Sequence, residues 1–523
     1  MESLKNYSTQ NCSIQNSPIQ TSPIQTGTIL KDYLAQTAGK PLNAEMLTFV
    51  ANIDAVAAKS PAVARGIVNE LIDQRSYLKL IASENYCSPA VQSAMGNLLT
   101  DKYAEGFVGN RFYAGCDNVD DIEKQASDEA CKLFGAKHAY VQPHSGADAN
   151  LVAFWAILRK KIQEPQMEKL NQTNLLAITK EEWDEIRVAL GNQKILGMDL
   201  FCGGHLTHGY RHNVSGQMFD AHYYYVDKET GRLDYANLRQ RLHEVKPLIF
   251  LVGFSAYPRN IDYSLLKQYA DEVGAVLMVD MAHFAGLVAG GALTGKFNPI
   301  PYADVVTSTT HKTLRGPRGG LVLCTEEYAE QVDKGCPHVI GGPLPHVMAA
   351  KAIAFKEAGT DEFKTYARKI IENSSSLAAA LVKRGIDIQT GGTDNHMVLA
   401  SVDALGITGK QAEFALRECG LTLNRNTMPY DTNGPWYTSG LRFGTAAVTT
   451  LGMGKPQMEE IAEIMATVLK SLQPALTKKG AKSKANYVLD DKIKSDSVQR
   501  VKNILKDFVL YPAVDTGFFE GYF

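Results

Sequence analysis

The chain has 523 residues, 45% of them hydrophobic and 21% charged, with 54 Lys and Arg against 56 Asp and Glu for a net charge of −2. That length exceeds the about 100–200 residues of one domain, so more than one core is expected, and the mixture excludes disordered, fibrous and membrane-embedded classes. The near-neutral balance offers no general affinity for nucleic acid or an anionic bilayer, so any anionic ligand is held by local groups.

The first residues, MESLKNYSTQ, lack the charged start and apolar stretch of a signal peptide, and no later apolar run approaches the roughly 18 residues of a membrane span. Eight cysteines show neither CxxC pairing nor the density of a disulfide scaffold. A cytoplasmic protein that meets no membrane is expected. Residues 1–30 carry a polar Ser/Pro/Gln repeat, SIQNSPIQTSPIQT, expected as a flexible tail. Residues 31–110 show helical spacing. Within them, MLTFVANIDAVAAKSPAVARGIVNELIDQR predicts two amphipathic helices broken near Ser60 and Pro61, an arm suited to gripping a partner subunit.

Residues 111–360 alternate the strand-like HAYVQ, AITK, KILGMDL, PLIFLVGF, AVLMVD, DVVTSTT and GLVLCT with helical stretches such as LLKQYADEVG. This rhythm predicts an α/β fold with a mostly parallel sheet covered on both faces, whose ligands sit beyond the carboxyl ends of its strands. Residues 158–194 interrupt it as a surface insertion. There Thr179 and Glu182 make a capping box, Trp183, Ile186 and Leu190 share a helical face, and Gly191 suits the stop. Residues 361–515, with GGTDNHMVLASV as a strand, predict a second, smaller α/β domain. KKGAKSK (478–484) reads as a solvated linker and 516–523 as a tail.

Four strand ends carry chemistry. After HAYVQ, Ser145, Gly146 and Ala147 open a helix where small residues let amides approach an anion, although the same residues also serve as ordinary helix-start punctuation. After KILGMDL, Gly203 and Gly204 deliver His205 and His208, which suit packing, metal ligation or stacking on a planar cofactor. AVLMVD ends on Asp280, with His283 three residues on. A buried carboxylate is costly unless a cation or strong donors meet it, so Asp280 either caps a loop or faces a cationic atom such as a protonated pyridine nitrogen. DVVTSTT runs into His311 and Lys312. A lysine in a dry site beside Arg315 and Arg318 has its ammonium disfavoured, leaving an amine able to attack a carbonyl. A phosphate cup, an acid, a ring-stacking group and a Schiff-base lysine are the parts that pyridoxal phosphate requires.

LIASENY (80–86), DKYAEG (101–106), HSGADAN (144–150), GGHLTHG (203–209), VDMAHFAGL (279–287), TTHKTLRGPRGG (309–320), GGTDNH (391–396) and TSGLRFGT (438–445) resemble, in order, the motifs of the serine hydroxymethyltransferases, over roughly residues 31–515. The resemblance implies pyridoxal-phosphate fold type I, the aspartate aminotransferase-like architecture, with the large domain at 111–360 and the small one at 361–515. It also implies a homodimer or tetramer with shared sites. Lys312 would carry the cofactor, Asp280 would pair with the pyridine nitrogen, His205 would stack on the ring, Ser255 and His283 would hold its phenolate side, and Thr309 and His311 would tune the imine. Ser145 and Gly146 would hold phosphate together with Tyr103 and Gly342 of the neighbouring subunit. Arg442 would bind the amino-acid carboxylate with Ser83 and Tyr113 assisting, and Glu105 would move a proton beside the hydroxymethyl group. Leu200, Gly204, Leu206 and Asn426 would line the folate site.

The implied reaction moves the hydroxymethyl carbon of serine to tetrahydrofolate, giving glycine and methylenetetrahydrofolate, with no metal. The chain departs from the family pattern at Ala147, commonly serine, at Cys202, Phe112 and Ala446, and in GCPHVIGGPLPH (335–346), where a glycine-rich stretch is altered around Gly342. Three alternatives compete. A folate-independent aldolase or racemase would share Lys312 and Asp280 but has no need of the YAEG and LTHG segments. A metal hydrolase built on His205, His208 and His212 finds no nearby carboxylate that completes a persuasive ligand set. A binding protein without activity would tolerate loss of Lys312.

Overall fold

The computed structural model describes residue 25 and residues 27–523, so nearly all of the expected 1–30 tail lies outside the described residues. The described residues form two compact units, one of residues up to 78 together with 505–523 and one of residues 79–504.

In the first unit, helices occupy Thr28–Gln36, Ala44–Ala57 and Pro61–Ser76. The break before Pro61 has a local cause. Ser60 Oγ accepts from the Val63 N–H (3.4 Å), and proline at the first helical position gives up an N–H that would have no partner there. Helix Thr28–Gln36 starts on Gly27, which has no capping side chain. The buried Asp54 carboxylate takes that role, accepting from the N–H groups of Gly27 (2.7 Å), Ile29 (2.9 Å) and Leu30 (3.4 Å). Asp54→Ala strands these donors and is expected to cost about 1–2 kcal/mol locally. Faster amide hydrogen exchange across residues 27–36 is the readout, and unchanged exchange there would contradict it. Residues 516–523, expected as a tail, include the 3-10 turn Thr516–Phe519. Phe518 packs edge-on against Tyr33 (5.5 Å) and Phe519 against Phe49 (5.6 Å).

The second unit holds a seven-stranded sheet with strands β1 (His138–Tyr140), β2 (Lys194–Met198), β3 (Asp220–Tyr224), β4 (Ile249–Gly253), β5 (Val276–Asp280), β6 (Val305–Thr309) and β7 (Gly320–Cys324). Their spatial order is β1-β7-β6-β5-β4-β2-β3. Strands β2 to β6 pair in parallel, and β7 runs antiparallel to both β6 and β1. Residues 310–319 are too few for a helical crossover, which takes about a dozen or more, so β7 returns antiparallel. Strands β4 to β7 are buried at every position and therefore read as unbroken apolar runs.

Three sequence expectations are corrected here. β3 goes beyond the expected strands, because as an edge strand only its last residue is buried and its sequence lacks the aliphatic signature. AITK is not a strand. It gives the 3-10 turn Leu175–Ala177 and the cap Thr179, which exchanges both capping-box bonds with Glu182 (2.7 and 3.2 Å), so local hydrogen bonds displace strand pairing. KKGAKSK is not a linker, since Lys482–Val488 pairs with Gln473–Leu476 in a hairpin. Gln411 Nε2 anchors that hairpin through the carbonyls of Ser483 (2.8 Å) and Asn486 (2.7 Å).

A second sheet contains β8 (Asp387–Ile388), β9 (Met397–Ser401), β10 (Asn424–Asn426) and β11 (Gly440–Gly444), antiparallel in the order β8-β9-β11-β10. Among the described residues, no helix is long and apolar enough to cross a membrane.

Candidate active site

Strands β5 and β6 are adjacent and parallel, with Asp280 opposite Thr307, so their carboxyl ends open on one rim. Beyond Thr309 the chain turns sharply. The Arg315 N–H donates to the Lys312 carbonyl (3.1 Å) and the Gly316 N–H to the Thr310 carbonyl (2.6 Å), with Arg315 at φ 59°. That left-handed residue is held by its guanidinium, which lies over the rings of Tyr366 (4.1 Å) and Phe363 (5.0 Å). From the other side, Asn85 Nδ2 donates to the Lys312 carbonyl (2.9 Å) and to the Tyr366 hydroxyl (2.6 Å). The backbone is thereby fixed, and Lys312 Nζ donates to Thr309 Oγ1 (3.0 Å). Burial lowers the Lys312 pKa to about 8; Asp280 opposes the shift, and Arg442 and Arg318 add to it. His311 is pushed down to about 3 by burial and by the charges of Lys312, Arg318 and Lys351, and its Nδ1 is buried without a partner.

Asp280 meets three donors. Its Oδ2 accepts from Asn150 Nδ2 (3.0 Å) and His208 Nε2 (3.1 Å), and its Oδ1 from the Ala282 N–H (3.0 Å). Burial alone would raise its pKa, but His208, through its hydrogen bond and charge, together with His205 and the Asn150 hydrogen bond, holds the carboxyl well below the usual range. Asn150 is the hub of this arrangement, since it also donates to Thr207 Oγ1 (2.7 Å) and accepts from Thr307 Oγ1 (2.6 Å). His205 Nδ1 lies 2.7 Å from Thr207 Oγ1, and burial lowers its pKa to about 4, leaving a neutral ring. The carboxylate that completes a three-residue group with His205 and His208 is Asp280, with the three donor atoms within 4.8 Å of one another. It replaces His212 in that group, and the His208 and Asp280 atoms are spent on each other.

Arg442, on β11, donates through Nη1 to the Ser255 carbonyl (2.7 Å) and through Nε to Asn424 Oδ1 (3.1 Å). Among the described residues no carboxylate pairs with it, and burial lowers its pKa to about 10. A half-buried, largely desolvated cation without an acid is costly, so the remaining N–H groups suit an anion from outside. His283 Nδ1 lies 3.3 Å from His396 Nε2, with the rings stacked at 5.5 Å. Burial, then the charges of Lys312 and Arg442, keep His283 neutral, and His396 is lowered to about 3. One proton sits between the two nitrogens, so each ring sets the other's tautomer.

Of the predicted residues, Lys312, Asp280, His205, His283, Thr309, His311 and Arg442 therefore gather at one place. Ser255 joins through its carbonyl rather than its hydroxyl. Ser145 caps helix Gly146–Leu158 by accepting from the Asp148 N–H (3.1 Å), and a methyl added to Gly146 would lie 2.7 Å from Thr309 Cγ2, so the helix start touches β6. Ser83 is half-buried, two residues before Asn85.

A second group forms at the surface. Tyr103 and Tyr113 donate to the two oxygens of Glu105 (3.2 and 3.5 Å), their rings meet edge-on at 5.1 Å, and Gly342 lies against the Tyr103 ring. Both tyrosines are exposed, and the link to the Ser145 turn runs through His144 Nε2 and the Gly342 carbonyl (3.2 Å). Among the folate candidates, Leu200 lines a cavity of about 200 Å³ together with Asp199, His205, His208 and Tyr223. The Gly204 N–H donates to the Asp199 carbonyl (2.9 Å), Leu206 is exposed, and Asn426 lies on β10 opposite Gly440. Asn85, Asn150, Thr207 and His396 escape the residue-by-residue reading, although each lies inside a motif that it singles out.

The sheet order, with an amine and an ionised carboxylate at adjacent strand ends, defines an α/β protein of pyridoxal-phosphate fold type I. The serine hydroxymethyltransferase family model matches residues 56–169 and 187–465. A serine hydroxymethyltransferase of Treponema pallidum (strain Nichols) is 56% identical over 494 residues, 94% of this chain and 86% of that one. One of Salinispora tropica is 54% identical over 475 residues (91% and 99%), and one of Chlamydia trachomatis serovar D is 47% identical over 490 (93% and 99%). The chain belongs to the serine hydroxymethyltransferase family. The unmatched residues 170–186 fall inside the 158–194 segment.

Proposed function

We propose that the chain reversibly transfers the hydroxymethyl carbon of L-serine to tetrahydrofolate, using pyridoxal phosphate held at Lys312. The reading extends to a cytoplasmic homodimer or tetramer with lobes 111–360 and 361–515, in which Tyr103 and Gly342 complete the neighbouring subunit's phosphate site. One observation carries it: the Lys312 amine, bonded to Thr309, and the buried Asp280 carboxylate, met by three donors, stand at the ends of adjacent parallel strands.

The residues fit the cofactor. The orphaned Nδ1 of His311 and the acid-free Arg442 are groups left for a polar ligand, and Asp280 is poised for a cationic nitrogen. When bound, pyridoxal phosphate supplies an aldehyde and a ring that accepts the electron pair released at the substrate α-carbon. Lys312 would hold the aldehyde, and Asp280 would keep a proton on the ring nitrogen. The neutral His283 would offer one nitrogen to the ring oxygen, with its tautomer set by His396. Arg442 grips the amino-acid carboxylate, and Glu105 exchanges a proton with the substrate hydroxyl.

Borohydride treatment with pyridoxal phosphate is expected to fix the cofactor's mass on the peptide carrying Lys312. Glycine should then form from serine only with tetrahydrofolate present, in step with methylenetetrahydrofolate. Efficient cleavage of β-hydroxy amino acids with no folate dependence would overturn the reading in favour of an aldolase. Attachment at Lys312 is expected to speed up as pH rises and to level off near the amine's pKa of about 8, because only the neutral amine attacks. A rate still climbing toward the ordinary lysine value of about 10.4 would contradict that.

A further inference from the structure

Lys351, on helix Pro345–Ala358, is fully buried, yet among the described residues its ammonium pairs with no carboxylate. Nζ instead donates to three backbone carbonyls, those of Val141 (2.5 Å), Pro143 (3.0 Å) and Gly320 (2.8 Å). Two of these precede the Ser145–Gly146 turn and the third starts β7, opposite Thr309 of β6. The Gly320 N–H returns a bond to the Pro143 carbonyl (2.9 Å), so the same two segments are tied twice. Gly319 makes room for the ammonium, since a methyl there would lie 2.5 Å from Lys351 Cε. Burial pushes the Lys351 pKa down to about 7, while Glu123 and Asp148 oppose the shift. Three acceptors call for three donors, which only the protonated form has, so the geometry selects the ammonium.

We propose that Lys351 is a positioning residue for the anion-binding end of the site. Its ammonium fixes the chain leading into Ser145–Gly146 against the start of β7, and so sets the geometry with which that turn meets the cofactor's phosphate. This rests on the cofactor reading above. None of the side chains assigned to the phosphate is cationic, so the cup depends on the placement of amides and hydroxyls. Lys351 reaches no substrate atom and acts through the backbone it ties.

The test compares pyridoxal phosphate with pyridoxal, which lacks the phosphate, by absorbance titration of the apoprotein. The wild type should bind pyridoxal phosphate far more tightly. In Lys351→Met that preference should shrink about tenfold or more while pyridoxal affinity changes little, because only the phosphate contacts are misplaced. Lys351→Gln, which keeps two donors, guards against a methionine variant that does not fold, and it should give an intermediate preference. An unchanged preference in either folded variant, or an equal loss for both ligands, would overturn the role. A wild type that shows no phosphate preference would instead overturn the cofactor reading itself, so the two failures appear in different samples.

Discussion

Asp280→Asn is expected to lower turnover with serine by about 10²–10³-fold or more, while the cofactor still attaches at Lys312. The carboxylate accepts from His208, Asn150 and the Ala282 N–H, so it stays charged although buried. An asparagine keeps the shape and one acceptor oxygen but loses the charge that holds a proton on the ring nitrogen. Its NH₂ must also face one of the three donors, at a cost of about 1–3 kcal/mol in stability. Asp280 raises the Lys312 pKa against burial, so the variant's attachment profile should move to lower pH than the wild type's. This separates loss of charge from loss of fold. The stability linkage has a definite sign: a folded pKa below the ordinary carboxylate value means that Asp280 stabilises the fold above about pH 4 and loses that contribution as pH falls. Full turnover in the asparagine variant would remove Asp280 from the mechanism.

How much of this is legible in the sequence depends on distance along the chain. Lys312 and Asp280 are legible because buried parallel strands read as apolar runs, and whatever follows such a run lies at the ligand-bearing edge. The bonds that tune them are less visible. Asn150 reaches Asp280 across 130 residues and His283 meets His396 across 113, and no local periodicity encodes such pairs. The same limit hides the Lys351 clamp, whose acceptors are carbonyls and so carry no side-chain signature. Misreadings arise where local chemistry wins. Thr179 and Glu182 cap a helix where AITK suggests a strand, and Ser483 and Asn486 offer carbonyls to Gln411 where a basic run suggests a linker.

Arg442→Leu is expected to raise KM for serine by about 10²–10³-fold, the equivalent of about 3–4 kcal/mol, for losing one partner of a desolvated charge pair. A guanidinium has five N–H donors, of which one goes to Asn424 and one to the Ser255 carbonyl, leaving three for the two oxygens of a carboxylate. Arg442→Lys should fall nearly as far, because an ammonium cannot hold both protein acceptors and present a planar fork. Stability should move the other way. β11 pairs with β9 and β10 on its two sides, so the backbone there is secured without the side chain. The leucine variant removes a desolvated cation that no carboxylate among the described residues offsets, and its melting temperature should equal or exceed that of the substrate-free wild type. Binding of an amine without a carboxylate group should be indifferent to the change, which distinguishes a lost anion contact from a collapsed site. A leucine variant that loses stability, or that binds serine as the wild type does, would show that Arg442 braces the Ser255 and Asn424 segments rather than receiving substrate.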